Sequence, residues 1–213
     1  MDVNTPSHYE QPAYHLEEMG NPILKQKGLI PFDQIQPHHF MPALQQLINA
    51  VEPQLQKIEN TSTPSWETVM NPLEQIEEKI RRTTGPMAHL TSVTDSKEIR
   101  EAWLQVEPLF TQFELRIQQS PSLYAAFETI KTGKEWKSLS LTQKRILDQR
   151  LHEAQLRGVN LSEEDQETFN TLVKELNTLQ TTYVSNIRDA TNKFTLIVNN
   201  KEKVEGIPYP TSN

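Results

Sequence analysis

With six histidines, 28 acidic residues and no cysteine, this chain could hold a transition metal only through imidazole and carboxylate, so the histidines come first. His38 and His39 are adjacent, and neighbouring side chains on a helix point about 100° apart, too far to share one ion. His89 stands in a stretch with Gly85 and Pro86 and has no second donor four residues on. His152, followed by Glu153, has no other histidine on its face. Each reads as a surface or capping residue. Glu74, Glu77 and Glu78, like Glu163 and Glu164, sit among Lys79, Arg81 and Arg82 in the pattern of solvated helix faces laced with ion pairs. No His-Glu-x-x-His, Gly-x-Ser-x-Gly, Gly-x-x-x-x-Gly-Lys or Gly-x-Gly-x-x-Gly occurs, and six glycines leave little material for a nucleotide loop. We therefore assign no catalytic, cofactor-binding or metal-ligating residue.

The stretch that dominates the pattern is Ser162 to about Phe194. Phe169, Leu172, Leu176, Leu179, Tyr183, Ile187, Ala190 and Phe194 recur at spacings of three and four, one narrow stripe of a single helix. Ser162 and Asp165 form its capping signal, and Glu163 and Glu164 oppose the positive end of its dipole. The spacing predicts a spine whose stripe packs on the shorter helices before it. On that reading, truncating Leu176 or Leu179 costs about 2–5 kcal/mol. The opposite face carries Thr171, Thr178, Thr181, Thr182, Ser185, Asp189 and Asn192, short polar residues that are mediocre helix formers; such a face either simply meets water or turns to a cleft or a second lobe.

Five shorter helices are predicted before it. One runs from Pro37 on Met41, Leu44, Ile48, Val51, Leu55 and Ile58, with Pro53 near its end. A second is capped by Ser65 and rests on Trp66, Val69, Leu73, Ile76 and Ile80. Thr83 to Ser96, containing Gly85-Pro86, reads as a connector. A third helix starts at Ser96, a fourth at Ser120-Pro121, and a fifth spans Leu141 to Arg157 with Gly158 as its stop. Leu196, Ile197 and Val198 form a candidate strand near 195–198 that lacks a clear partner. The expected organisation is a flexible tail over 1–20, a helical lobe over 21–208, and a tail over 209–213. The fold class is all-α, an elongated bundle around the long helix of about 162–194.

A net charge of −7 without a basic patch argues against nucleic acid or an anionic membrane surface as partner. No apolar run approaches 18 residues and the start lacks the order of a signal peptide, so a cytoplasmic location is expected. Several strings in order, NPIL, LIPFDQIQPHHFMPAL, SWETVMNPLEQIEEKI, GPMAHLTSVTDSKEIREAW and LRGVNLSEEDQETFNTLVKELNTLQTTYVSNIRDAT, resemble the amino-terminal region of the thimet oligopeptidase-like zinc metallopeptidases. The resemblance covers roughly Asn21 to Pro208. It implies the first lobe of a two-lobed enzyme on short peptides, one wall of a substrate channel, whose partner is the carboxy-terminal catalytic lobe of the same polypeptide. The resemblance also implies one zinc in the full-length parent, held by a His-Glu-x-x-His helix that is absent here, so no metal position carries over. The other reading is a free-standing helical interaction module without peptidase activity.

Overall fold

The computed structural model describes residues 20–25, 27–94, 96–198, 203 and 206. Among them run six helices: α1 Phe40–Glu59, α2 Asn71–Val93, α3 Lys97–Gln118, α4 Pro121–Thr132, α5 Leu141–Leu156 and α6 Glu163–Lys193. A π-helical turn at Trp66–Met70 leads into α2, and short 3-10 turns at Pro22–Leu24, Phe32–Gln34 and Pro37–His39 precede α1. The all-α expectation holds. The candidate strand does not form, since 194–198 are irregular and exposed and no strand occurs among the described residues; three apolar residues with no pairing edge cannot satisfy their backbone as a strand. The expected tails, 1–20 and 209–213, lie outside the described residues except for Gly20.

Serine caps set most of the helix starts. Ser65 accepts from the Thr68 N–H at 3.1 Å, Ser96 from Ile99 at 3.2 Å, Ser120 from Leu123 at 3.3 Å and Ser162 from Asp165 at 3.2 Å. Each oxygen satisfies one of the donors that a first turn leaves orphaned. At the far end of α5, Gly158 turns the chain at φ +89°, and a Cβ there would meet Leu161 Cδ1 at 2.7 Å.

The connector expected at 83–96 is instead the second half of α2, which runs unbroken through Gly85 and Pro86 to Val93. Tertiary burial overrides the local signal. A glycine and a proline inside a helix cost about 1 and 3 kcal/mol. Burying Met87 and Leu90 returns about 1.5–3 kcal/mol each, and the Thr84 hydroxyl donates to the Ile80 carbonyl at 2.9 Å.

The chain divides into two compact units, 1–171 and 172–213. The core of the first is organised around α1, whose Phe40, Leu44, Leu47, Val51 and Leu55 are fully buried. α1 packs on α2, α3 and α4, and α4 packs on α5. Val69 before α2, Met87 on α2, Val106 on α3, Ile130 on α4 and Leu147 on α5 complete the apolar interior. Asn21 anchors the extended entry segment: its side chain accepts from the Ile23 N–H at 3.1 Å and donates to the His39 carbonyl at 2.9 Å.

The long helix forms with nearly the expected bounds but is not the centre of that core. None of its residues is buried. Leu176 and Leu179 are 62% and 59% exposed, and Leu172, Tyr183 and Ile187 are exposed with them. The partly buried positions of the second unit are Val173, Asn177, Thr181, Ser185, Arg188 and Asp189, mostly on the polar face. A three-four repeat shows that a face favours burial without showing which surface buries it.

Candidate functional site

His39 and His89 make structural contacts. His39 Nδ1 accepts from the Gln36 N–H at 3.0 Å, which closes the turn before α1. Burial first, and then the neighbouring His38, lower its pKa, so the acceptor stays neutral. His89 lies against Phe32 with ring centroids 5.4 Å apart. Among the described residues no group of three His, Asp or Glu converges to hold a metal ion.

Two surfaces remain. The first is α6. Its threonines close on their own helix: Thr171 donates to the Glu167 carbonyl at 2.9 Å, Thr178 to Lys174 at 3.0 Å and Thr182 to Thr178 at 2.8 Å. Hydroxyls satisfied this way need no outside partner. The apolar stripe has no such internal answer, because Leu172, Leu176, Leu179, Tyr183 and Ile187 together present an apolar face to water. The expected packing of the stripe on the shorter helices does not occur, since these residues are exposed.

The second is a cleft of about 740 Å³ bounded by α2, α3, α4 and α5. Phe110, Ile117, Leu123, Tyr124 and Phe127 give it an apolar lining, and Glu77, Arg81, Glu114, Arg150, Glu153 and Arg157 are its charged groups. Glu77 is paired with Arg150. Burial pushes the Glu114 carboxyl above the usual carboxylate range, and the positive charge of Arg157 offsets only part of that. Glu114 and Arg157 were not recognisable in the sequence, because each falls in an ordinary helical charge pattern and only the tertiary fold brings them to one cleft.

Polar clusters hold the ends of these helices. Arg116 donates to both carboxylate oxygens of Glu59 at 2.7 and 2.8 Å and to Glu52 at 2.9 Å, and Ser120 donates to Glu59. Gln119 and Asn170 exchange two amide hydrogen bonds at 2.7 and 3.1 Å, while Gln119 also donates to the Arg157 carbonyl at 2.8 Å. This fixes the turn that carries Arg157 and the first turns of α6.

Known proteins share this arrangement of sequence. The chain is 35% identical over 188 residues to the probable cytosolic oligopeptidase A of Arabidopsis thaliana, covering 88% of this chain and 27% of that protein. It is 32% identical over 190 residues to oligopeptidase A of Haemophilus influenzae, covering 89% and 28%. Over 191 residues it is 30% identical to oligopeptidase A of Escherichia coli, again covering 89% and 28%. The chain thus spans about a quarter of the length of the curated relatives it matches. The sequence model of the neurolysin/thimet oligopeptidase N-terminal domain matches residues 44–166, from α1 through α5 into the start of α6. The chain belongs to the neurolysin/thimet oligopeptidase N-terminal domain family.

Proposed function

We propose that this chain is the amino-terminal, non-catalytic segment of a zinc-dependent oligopeptidase, forming one wall of the channel through which short peptides reach the metal. The observation that carries this reading is the exposed apolar stripe of α6 in a chain that matches only about a quarter of its relatives' length. Apolar faces of that extent are covered in a working protein, and the cover we assign is the carboxy-terminal catalytic lobe. Zinc, held in that lobe, would supply an activated water for cleavage of internal peptide bonds. The histidines described here take no part.

We place the protein in the cytoplasm, in keeping with the Arabidopsis relative named cytosolic. A second Arabidopsis relative, 34% identical over 188 residues, is named organellar, and fractionation with an antibody to this chain decides between the two compartments. No helix among the described residues is long and apolar enough to cross a membrane.

The reading is tested by mixing this chain with Escherichia coli oligopeptidase A lacking its matched quarter and following a quenched fluorescent peptide. Cleavage should require both pieces, with this chain inert by itself. Equal cleavage with and without the chain contradicts the reading and favours a free-standing interaction module.

A further inference from the structure

Two opposite charges of the cleft, Glu114 and Arg157, attract each other without pairing. Glu114 on α3 is partly buried there. Arg157, just past α5, is exposed to water at the cleft's edge and near enough for its charge to act on the Glu114 carboxyl. Among the described residues no hydrogen bond or ion pair joins the two side chains, and none reaches the Glu114 carboxylate or the Arg157 guanidinium from elsewhere. The other charges of the cleft are satisfied: Glu77 pairs with Arg150, Arg81 with Glu78, and Glu153 accepts from Gln149 at 2.8 Å. A partly buried carboxylate without a partner loses hydration with no hydrogen bond in return. Groups held at that cost in a cleft are recurrent features of binding sites.

We propose that this cleft binds a small zwitterion with an apolar side chain, a free amino acid or a short peptide, its ammonium on Glu114 and its carboxylate on Arg157. The side chain lies on the surface made by Phe110, Tyr124 and Phe127. A zwitterion fits where a single charge does not. A lone cation would be repelled by Arg157, and a lone anion by Glu114. At about 740 Å³ the cleft has the size of sites that take small ligands, with no room for a folded partner. This site is independent of the α6 surface and of the reading of the chain as part of a peptidase.

The test is a titration of the 213-residue chain with phenylalanine and with Phe-Gly-Gly, each also N-acetylated or C-amidated, followed by chemical-shift changes in amide NMR spectra. At least one free zwitterion should bind at the cleft, with each blocked form weaker by at least about fivefold, the scale of a partly exposed ion pair. Whether the amino acid or the tripeptide binds more tightly identifies the source. Glu114→Gln should abolish the penalty for acetylation and keep that for amidation, and Arg157→Gln should do the reverse. Absence of shifts with both zwitterions at millimolar concentration overturns the proposal. So does equal binding of free and blocked forms, or an unchanged pattern in the folded variants. If either variant fails to fold, the comparison of free and blocked ligands on the wild-type chain decides alone.

Discussion

Glu59 shows how a single residue couples the bundle to pH. Burial by itself would raise its pKa, but the hydrogen bonds from Arg116 and Ser120 and the charge of Arg116 outweigh that and bring it below the ordinary glutamate value. A carboxyl depressed in the folded state stabilises fully above its unfolded pKa, and that contribution is lost as pH falls through the folded value. Arg116→Met should therefore cost about 2 kcal/mol at pH 7 in urea unfolding, a figure reduced because the guanidinium is partly in water. The cost should shrink below about pH 4, where Glu59 protonates in the unfolded chain. Glu114 has the opposite sign. Its carboxyl is raised by burial, so stability falls as pH rises from the ordinary glutamate value toward the raised one. Glu114→Gln should stabilise the chain at neutral pH by less than about 1 kcal/mol, and the advantage over wild type should vanish in acid. Neither residue stood out in the sequence, because partners such as Glu59 and Arg116 lie on different helices and no spacing rule connects them. The capping serines did stand out, because a cap acts on a backbone N–H three residues away and needs no tertiary information.

Helices whose partners are local in sequence were legible, and those decided by the rest of the fold were not. Leu44, Val51, Leu55 and Ile58 of the predicted α1 stripe are buried, Met41 and Ile48 only in part, and Leu47, which the stripe left out, is fully buried, so Leu47→Ala should cost roughly 2–5 kcal/mol. The same spacing in α6 produced an exposed face, and Leu176→Ala should cost less than about 0.5 kcal/mol in this chain. Equal costs at Leu47 and Leu176 in chemical denaturation would contradict the burial pattern. Gly85-Pro86 misled for the converse reason: local propensity favours a break, and the buried Met87 and Leu90 keep the helix continuous. Gly85 is exposed there, and an added Cβ would meet nothing within 4 Å. Gly85→Ala should accordingly raise stability by about 0.5–1 kcal/mol, read as a shift in the urea midpoint. A destabilised variant would mean that the helix is interrupted at that position.

At the scale of the molecule, an all-helical unit with a core around α1 is joined to a helix that carries its apolar face into water. The family assignment and the fraction of relatives' length matched here supply a reason for such a face in the proposed catalytic lobe. The sequence revealed the face through its period and could not reveal its cover, since hydrophobic repeats carry no record of the opposite surface. The most direct measurement is the affinity of this chain for Escherichia coli oligopeptidase A lacking its matched quarter, by calorimetry, for wild type and for Leu176→Glu with Leu179→Glu. Saturable one-to-one binding that the double variant weakens at least about a hundredfold, while its own melting midpoint stays unchanged, is the result predicted from two buried charges. Equal affinity of the two proteins, or no binding by the wild type, would contradict the assignment of the α6 stripe as the surface that meets the catalytic lobe.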